Sequence, residues 1–399
     1  MRMAVFGPSQ RAAALPPNFF GTMDLEILRL SAQPGPRMID VSKGNPDLPT
    51  PSHIVAAMQR EVAEPINHRY PSYAGRASLR EAIALRYRDD HGVEIDPDHQ
   101  VAIFHGSHEG IMAAILALTD PDTNVVLPDP GYPMYTSAVG LAGGRTIALP
   151  LLEPDYQPDY AAVDAVDEAR VLLLNYPNNP TGALASRVTF EGAITFAERA
   201  GAAFLHDFAY SSLGFDGRAP LSALAVDTDL DVTVEVQTLS KTYSMAGWRV
   251  GFAAGNTSII AAMKKYQAHA FSTMFGASQE AAAVALSGDQ TVASDLVEVY
   301  QRRRDLVVDG LRAIGWDVHA PAGTFFVWVR IPGGGDAVEF AGRLREEQRV
   351  AVAPGNGFGP RGSGHIRLGL VRDEADLQEL IERLDTFSRS LSPGSRTTR

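Results

Sequence analysis

Between about residue 52 and residue 300, short and continuous apolar runs alternate with segments of helical apolar spacing. The runs occupy residues 124–127, 170–174, 202–205 and 232–236, and each is bounded by turn-forming residues. Runs of this length and continuity fit strands that are buried on both faces of a parallel sheet. The Ala-rich segment 190–201 is typical of a helix that connects two such strands. We therefore predict a doubly wound α/β domain with a mostly parallel sheet.

The pattern changes near residue 290, where a charged helical stretch leads into a second mixture of short strands and helices. Its predicted elements lie at residues 295–310, 316–319, 324–331, 337–348, 365–370 and 373–389. This mixture predicts a smaller α+β domain. We expect four parts along the chain: an N-terminal arm that contributes to the small domain (1–50), the large domain (51–290), the C-terminal small domain (291–390) and a disordered tail (391–399).

The charge and composition of the chain exclude several classes of function. The 399 residues carry 35 basic and 47 acidic side chains, a net charge of −12, which argues against binding to nucleic acids or to anionic membranes. The absence of cysteine excludes disulfides, thiolate metal sites and cysteine nucleophiles. No apolar run approaches the roughly 18 residues of a membrane span, and the first residues do not resemble a signal peptide. We expect a cytoplasmic protein without a metal site.

Lysine is scarce in this chain. Only Lys43, Lys241, Lys264 and Lys265 occur, and the other basic side chains are arginine. Any chemistry that needs a primary amine therefore has four candidate residues. Lys264 and Lys265 are adjacent in a predicted helix, where solvated lysines are common.

Polar residues follow the predicted strands at the points where ligands bind in α/β sheets. The motif NYPNNPTG (175–182) follows one strand, HDFAY (206–210) follows the next, and TLSKTYSMAGWRVG (238–251) follows a third. GSHEG (106–110) opens a predicted helix. Because the carboxyl ends of parallel strands meet at one edge of the sheet, these groups are expected to lie together. Each motif alone is typical of a turn or a helix cap, and only their joint order indicates a ligand site.

This set of motifs resembles the class I and II aminotransferases of the aspartate-aminotransferase fold, which are fold type I enzymes dependent on pyridoxal 5′-phosphate (PLP). Further matching segments are GNPDLPTP (44–51), YPSYAGRASLREAIA (70–84), PDPGYPMY (128–135) and HIRLGL (365–370). The resemblance covers nearly the whole chain and implies that 51–290 binds PLP. GNPDLPTP and GSHEG favour the branch with LL-diaminopimelate and alanine aminotransferases. The resemblance implies transfer of an amino group between an L-amino acid and a 2-oxo acid, in a ping-pong reaction through pyridoxamine phosphate.

The resemblance assigns roles around the cofactor ring. Lys241 matches the lysine that forms the Schiff base with PLP and then moves the substrate's proton. Asp207 matches the carboxylate that keeps the pyridine nitrogen protonated. Asn179 and Tyr210 match residues that bind the 3′-oxygen, and Tyr132 matches an aromatic residue that stacks on the ring.

The resemblance also assigns residues to the cofactor phosphate. The helix N-terminus at Ser107, His108 and Glu109 offers free backbone N–H groups to a dianion. Arg249 can add a bidentate contact, and the hydroxyls of Thr238 and Ser240 lie beside the same site. The family usually has lysine, glutamine or a similar residue at the position of His108. Because the expected contact there comes from the backbone, we expect little consequence.

Substrate binding and subunit association are implied by the same resemblance. Arg367 matches the arginine that binds the α-carboxylate, together with Asn179 and with Gly44 and Asn45 of the segment that closes over the substrate. Tyr70 matches a tyrosine that reaches the phosphate site of the neighbouring subunit, which implies a homodimer. Lys43 stands where an apolar residue is commoner, and it can meet a polar substrate side chain or point to solvent.

Two other functions are compatible with parts of the pattern. Fold type I also hosts lyases, decarboxylases, synthases and oxidases that act on amino acids, and these share nearly all the cofactor residues. In transcription factors the same fold serves as an effector-sensing domain behind a DNA-binding domain of some 70 residues. Here the match begins at about Gly44 and the chain is acidic, which disfavours that reading.

Overall fold

The computed structural model describes residues 7–391. Its α-helices are α1 (Gln10–Ala13), α2 (Phe19–Ser31), α3 (Ser52–Val62), α4 (Ala77–His91), α5 (Ser107–Leu118), α6 (Met134–Ala142), α7 (Arg187–Ala200), α8 (Leu239–Thr242), α9 (Thr257–Ala270), α10 (Gly276–Ser287), α11 (Thr291–Ala313), α12 (Ala337–Gln348) and α13 (Glu374–Leu391). Its strands are β1 (Ile39–Asp40), β2 (Val101–Phe104), β3 (Asn124–Asp129), β4 (Arg145–Leu152), β5 (Gln157–Pro158), β6 (Val171–Asn175), β7 (Ala203–Asp207), β8 (Thr233–Thr238), β9 (Gly251–Gly255), β10 (Phe326–Arg330), β11 (Val350–Ala351), β12 (Ala353–Pro354) and β13 (His365–Gly369).

A large sheet forms the centre of the fold. Within residues 7–391 it has eight strands in the order β2-β9-β8-β7-β6-β3-β4-β5. The central pairs from β8 through β4 are parallel, whereas β9 runs antiparallel to β2 and β8, and β5 antiparallel to β4. The predicted α/β class with a mostly parallel sheet is confirmed.

Both faces of this sheet are buried, as the continuous apolar runs predict. Val125 and Leu127 of β3 pack into the core layer on one face. Val126, between them, packs into the layer on the other face with Phe190 of α7. Alternate residues of a strand point to opposite faces, so a strand covered on both sides needs apolar residues throughout. The helices α5, α6 and α9 contribute to the first layer and α7 to the second.

Local signals explain where the crossover helix α7 begins and ends. Ser186 accepts a hydrogen bond from the Thr189 backbone, and the Thr189 hydroxyl accepts one from the Ser186 backbone, which makes a capping box. The helix ends at Gly201, which adopts a left-handed conformation that costs glycine little. These caps direct the chain into β7, whose last residue is Asp207.

Some elements differ from the sequence-based prediction. Strands β2, β4 and β9 were not predicted, and residues 316–319 contribute only an isolated bridge between Val318 and Val329. Strand β9 has the sequence GFAAG, and glycine and alanine have low intrinsic β propensity. This segment is a strand because it pairs with β2 on one side and with β8 on the other. Such pairing depends on the tertiary structure and is not visible in the local sequence.

Two smaller sheets bring the ends of the chain together. One has the order β10-β13-β12, and the other pairs β1 with β11 in parallel. A core of aromatic and aliphatic side chains from α11, α12 and α13 packs with them. The predicted tail lies outside the described residues apart from Leu391, which ends α13. In the part of the chain that is described, no helix combines the length and apolar character needed to cross a membrane.

Candidate active site

A cavity of about 330 Å³ opens at the carboxyl ends of the parallel strands. Thirteen of the fifteen residues predicted for the site line it: Gly44, Asn45, Ser107, His108, Tyr132, Asn179, Asp207, Tyr210, Thr238, Ser240, Lys241, Arg249 and Arg367. The other two, Glu109 and Tyr70, are not among its lining residues. The topology therefore brings together residues that are more than 300 positions apart in the sequence.

Lys241 is one of the residues that line this cavity. It belongs to α8, the short helix that follows β8 directly, and Thr238 caps that helix by accepting a hydrogen bond from the Ser240 backbone. The Lys241 Nζ donates a hydrogen bond of 2.8 Å to the carbonyl oxygen of Gly44. Burial lowers the pKa of the Lys241 ammonium to about 8, and the charges of Arg367 and Arg249 act in the same direction. About a tenth of the amine is therefore neutral at pH 7.

Asp207 ends β7 as a buried carboxylate. Its Oδ2 accepts a hydrogen bond of 2.5 Å from the Tyr135 hydroxyl, and its Oδ1 accepts one of 3.1 Å from the Ala209 backbone. Burial raises the pKa of the Asp207 carboxyl, while the Tyr135 hydrogen bond and the neighbouring positive charges oppose that rise. The carboxylate thus has two donors and still borders the cavity.

Tyr135 is a site residue that the sequence-based prediction missed. It lies in the matched segment PDPGYPMY, three residues after Tyr132, and it is fully buried. A tyrosine hydroxyl in an apolar core requires a hydrogen-bond partner. That requirement, applied to a motif already singled out, could have pointed to Tyr135, but the sequence does not identify Asp207 as the partner.

Hydrogen bonds of asparagine side chains stabilise the loop that follows β6. The Asn175 amide donates to the Asp207 carbonyl at 2.8 Å, and the Asn175 Oδ1 accepts from the Asn179 backbone at 2.8 Å. Asn178 Oδ1 accepts from both the backbone and the hydroxyl of Thr181. Each of these asparagines replaces backbone hydrogen bonds that a loop cannot make. The NNPTG turn consequently holds the Asn179 side chain at the cavity.

Arg367 is a fully buried guanidinium in β13. Its Nη1 donates to Asn179 Oδ1 at 2.7 Å and its Nη2 to the Ser42 carbonyl at 2.7 Å, while its Nε has no partner. Three phenyl rings surround the charge, with centroids 3.9 Å (Phe326), 4.7 Å (Phe358) and 5.4 Å (Phe20) from Cζ. Burial lowers the pKa of Arg367 to about 10. A buried cation with an unpaired N–H is well suited to bind a carboxylate.

One end of the cavity is built to receive an anion. Helix α5 begins at Ser107, so its first backbone N–H groups have no acceptor within the helix. The exposed Arg249 donates to the carbonyls of Ala246 (3.1 Å) and His105 (3.3 Å), which places its guanidinium at the same end. Gly106 has φ +87°, and a Cβ there would lie 2.5 Å from Arg249 Nη2. Only glycine therefore lets the arginine approach the helix N-terminus this closely.

Two tyrosines and Gly44 complete the walls. Burial raises the pKa of Tyr210 and of Tyr132, so both hydroxyls stay protonated and can donate hydrogen bonds. The Tyr132 ring stacks on Phe20 of α2, with centroids 6.1 Å apart. A Cβ on Gly44 would lie 2.4 Å from the Phe326 ring, so the chain can pass here only as glycine. Phe20 and Phe326 were not predicted, because their role depends on tertiary packing.

Lys43 points across the mouth of the cavity toward acidic residues. Its Nζ forms an ion pair with Asp24 of α2 and a longer one of 3.7 Å with Asp40. Asp24 and Lys43 both line the cavity. These ion pairs balance the charge of Lys43 within the chain, and the two expectations for it, contact with a polar substrate side chain or exposure to solvent, stay predictions.

Glu109 and Tyr70 occupy other surroundings. The Glu109 carboxylate faces His105, whose Nδ1 lies 3.1 Å from both carboxylate oxygens. Tyr70 follows a short 3₁₀ turn at Pro65–His68, and 91% of its surface is exposed. A tyrosine with this exposure contributes nothing to the core of its own chain, and its predicted role toward a neighbouring subunit stays a prediction.

Comparison with known proteins places the chain among enzymes. The family described as "Aminotransferase class I and II" matches residues 36–384. The chain is 44% identical to the L-glutamine–4-(methylsulfanyl)-2-oxobutanoate aminotransferase of Bacillus subtilis over 95% of this chain and 96% of that protein. It is 41% identical to the LL-diaminopimelate aminotransferase of Desulforudis audaxviator, over 95% of this chain and 97% of the relative.

Solved structures agree with this placement. Substrate-bound BacF from Bacillus subtilis superposes with a TM-score of 0.93 at 35% identity, covering 96% of this chain and 98% of the other. An aspartate aminotransferase from Thermotoga maritima superposes with a TM-score of 0.88 at 30% identity, covering 96% and 100%. Both matches cover 96% of this chain. The chain therefore belongs to the class I and II aminotransferase family and is an aminotransferase of fold type I.

Proposed function

We propose that the cavity holds PLP bound covalently to Lys241, and that the enzyme uses it to exchange an amino group between an L-amino acid and a 2-oxo acid. One observation carries this proposal. The Lys241 amine, whose pKa burial lowers to about 8, lines one cavity together with the buried carboxylate of Asp207 and with Arg249. An amine must be neutral to attack an aldehyde, and this environment keeps part of it neutral.

The residues of the cavity fit four parts of this cofactor. The α5 N-terminus at Ser107, His108 and Glu109, with Arg249, Thr238 and Ser240 beside it, matches a phosphate dianion. The Asp207 carboxylate matches a protonated ring nitrogen, which it would hold in the charged form. The Tyr132 ring matches the flat face of an aromatic ring. Asn179 and Tyr210 supply hydrogen-bond donors for the ring oxygen.

When bound, PLP supplies an electron sink that stabilises negative charge at the α-carbon of the substrate. The side chains of this protein do the remaining work. The Lys241 amine would move the proton from the substrate α-carbon to the cofactor carbon that the lysine itself had occupied, and would move a proton in the opposite direction during the second half-reaction. Asp207, fixed by Tyr135, keeps the ring nitrogen protonated. The ring of Tyr132 and the hydrogen bonds of Tyr210 fix the plane in which these groups act.

Arg367 is proposed to bind the α-carboxylate of both substrates. Its unpaired Nε and its fully buried guanidinium leave a strong donor for an anion. Gly44 and Asn45 lie at the same wall, where the absence of a side chain on Gly44 leaves room for the substrate. Because the amino acid and the oxo acid share an α-carboxylate, one arginine can serve both in turn, as a ping-pong reaction requires.

The side-chain pocket supports a neutral substrate. The rings of Phe20, Tyr132 and Phe326 form an apolar wall beside Arg367. The one additional lysine of this cavity, Lys43, is paired with Asp24 and Asp40. A thioether packs favourably on aromatic rings. Together with the name of the Bacillus subtilis relative, this supports 4-(methylsulfanyl)-2-oxobutanoate as the amino acceptor.

A homodimer is proposed to complete each site. Tyr70 is exposed on its own chain, and further exposed apolar residues lie near it: Ile66, Tyr73 and Phe275. Phe275 packs against His68 of the same 3₁₀ turn, so these side chains form one surface region. A group of exposed apolar side chains is typical of a subunit interface. In a twofold dimer, this region of one subunit would carry Tyr70 to the phosphate site of the other.

The proposal is tested by spectroscopy and by a substrate panel. Purified protein loaded with PLP should show a visible absorbance band that Lys241→Ala abolishes, even where PLP still binds through its phosphate. Incubation with single amino acids should yield the matching 2-oxo acid in an amount equal to the enzyme sites. With an acceptor present, kcat/KM should be higher for 4-(methylsulfanyl)-2-oxobutanoate than for 2-oxoglutarate. Release of ammonia with no amino transfer would contradict the assigned reaction.

A further inference from the structure

Beneath the proposed cofactor site, His206 and Glu235 form an ion pair with no solvent exposure. They are register partners on the parallel strands β7 and β8, and His206 Nδ1 lies 2.8 Å from Glu235 Oε1. His206 immediately precedes Asp207, and consecutive strand residues point to opposite faces of the sheet. The pair therefore lies on the face opposite the cavity, directly behind Asp207.

Hydrogen-bond geometry determines the charges of the pair. His206 Nε2 lies 2.9 Å from the Tyr176 carbonyl oxygen, which can only accept. Glu235 also accepts from the Ser222 hydroxyl (2.9 Å) and from the Ala223 backbone (2.5 Å). Each carboxylate oxygen thus accepts a hydrogen bond from a donor other than His206, which is the pattern of an ionised carboxylate. His206 must then donate from both ring nitrogens, which makes it an imidazolium.

The surroundings agree with this assignment. Although burial raises the pKa of Glu235, its hydrogen bond to His206 and the charge of His206 lower it below the ordinary value. Two groups of α4 face the pair. Burial lowers the pKa of His91, which stays neutral, and burial raises the pKa of Tyr87, which stays a phenol. The His206 ring lies against the rings of Phe190 and Phe208, each with a centroid distance of 4.8 Å, and aromatic faces favour a cation.

The pair is connected to the site through three strand ends. His206 holds the Tyr176 carbonyl, which follows Asn175 at the end of β6. Asn175 in turn bonds to the Asp207 carbonyl and to the Asn179 backbone. Glu235 lies on β8, which runs into the helix of Lys241. The charge of His206 also lowers the pKa of Asp207, against the effect of burial and together with Tyr135 and Lys241.

We propose that the His206–Glu235 pair is a positioning device for Asp207. The imidazolium keeps the Asp207 carboxylate charged, and its two hydrogen bonds align the ends of β6, β7 and β8. His206 acts through Asp207 and touches neither substrate nor cofactor. The proposal rests on the proposed function, because Asp207 needs its charge only toward a protonated ring nitrogen.

The charge of His206 can be measured in the wild-type protein without any variant. Nitrogen-15 spectra of protein labelled at histidine, recorded without PLP and with PLP, report the protonation of each ring nitrogen. From the hydrogen-bond geometry, a histidine with both nitrogens protonated is expected in the folded protein, and its signal should be absent from His206→Gln/Glu235→Gln. A neutral ring for His206 would overturn the proposal. This result does not depend on whether PLP is the cofactor.

The effect on Asp207 is tested with the double variant His206→Gln/Glu235→Gln. Two glutamines can keep a buried hydrogen bond without charge, and neutral replacement of a buried ion pair often leaves stability unchanged. We expect a Tm close to the wild-type value but PLP binding weakened by about tenfold, the size of a shift of one pKa unit in a coupled group. The pH at the midpoint of the change in PLP absorbance should shift in the double variant in the same direction as it shifts in Tyr135→Phe.

The matched control is His91→Gln, which removes a neighbouring imidazole that makes no hydrogen bond to Asp207 or Tyr176. It should leave the PLP dissociation constant and the absorbance midpoint unchanged. If the double variant binds PLP as tightly as wild type with an unchanged midpoint, the pair is only structural and the proposal is wrong. If the double variant does not fold, Glu235→Gln is measured instead, with the same two outcomes. Failure of wild-type protein to bind PLP would contradict the proposed function, while the nitrogen-15 spectrum still decides the charge of His206.

Discussion

At the scale of single residues, Lys241 illustrates a conflict between function and stability. A lysine is most stable when it is charged and solvated, yet here burial and two neighbouring arginines lower its pKa to about 8. Each unit of such a shift corresponds to about 1.4 kcal/mol of differential stability. A residue that must be partly neutral to react thereby destabilises the protein that carries it.

This conflict predicts that Lys241→Met stabilises the protein in the absence of PLP. The unfolded lysine titrates near pH 10.4 and the folded one near pH 8, so the penalty is complete below pH 8 and is lost between about pH 8 and pH 10.5. At pH 7 we expect a gain in the free energy of unfolding of about 2 kcal/mol, after loss of the hydrogen bond to Gly44. Urea unfolding at pH 7 and pH 9.5 measures it, and an equal difference at both values would contradict the prediction.

A second residue-scale prediction concerns the ion pair at the mouth of the cavity. Asp24 balances the charge of Lys43, so Asp24→Asn should leave Lys43 able to attract an acidic substrate side chain. We expect kcat/KM for 2-oxoglutarate to rise about threefold to tenfold relative to a neutral oxo acid, an effect typical of a partly exposed charge. The double variant Asp24→Asn/Lys43→Ala should lose this gain. An equal rise in both variants would show that Lys43 is not its cause.

At the scale of elements, Gly106 at the start of α5 must meet both a conformational and a steric requirement. Gly106 has a positive φ and also leaves the space that Arg249 occupies. Gly143, which ends α6, has a similar φ of +80°, but the nearest atom to a Cβ there is 3.6 Å away. The two glycines share a positive φ but differ in ψ, which is 165° at Gly106 and 11° at Gly143, and only Gly106 makes the close contact.

Comparison of Gly106→Ala with Gly143→Ala therefore separates the anion site from a loss of stability at a helix end. Both variants should lose about 1 kcal/mol or more of stability, because alanine is strained at positive φ, and Gly106→Ala should lose more because its conformation is open essentially to glycine alone. Only Gly106→Ala displaces Arg249 from the helix N-terminus, so it alone should weaken PLP binding, by about tenfold or more. Equilibrium dialysis of PLP and thermal unfolding give the two quantities. Equal PLP affinity in both variants would show that the guanidinium position does not matter.

At the scale of the whole molecule, the question is whether one chain makes a complete site. Tyr70 lies outside the cavity of its own chain, while Lys241 lies inside it. If a twofold dimer is the functional unit, these two residues serve the same site from different subunits. Variants of the two residues should then complement each other.

We expect mixtures of Lys241→Ala and Tyr70→Ala subunits to regain activity that neither variant has alone. After equal mixing and exchange, hybrid dimers each contain one site with both native residues, so about a quarter of the wild-type activity should return. Steady-state rates before and after exchange measure the effect, and light scattering gives the oligomeric state. The control mixes Lys241→Ala with Val188→Ala, an exposed residue of α7 without a predicted role. Failure of the first mixture to recover activity in a proven dimer would contradict the role of Tyr70.

The sequence by itself determined the α/β class and the set of residues at the strand ends. Continuous apolar runs can be buried on both sides, and the carboxyl ends of parallel strands must meet at one edge. These are short-range patterns, and the motifs NNPTG, HDFAY and SKTYSMAGWRVG carry them in a recognisable order. Most residues predicted from these motifs line one cavity for that reason.

Only the tertiary structure decided which side chains contact one another. Tyr135 bonds to Asp207 across 72 positions, Arg367 to Asn179 across 188, and Lys43 pairs with Asp24 of another element. The charge of His206 depends on a carbonyl 30 positions away and on Glu235 in the next strand. Burial and hydrogen bonding set these pKa values and charges, and both depend on contacts that no local pattern encodes.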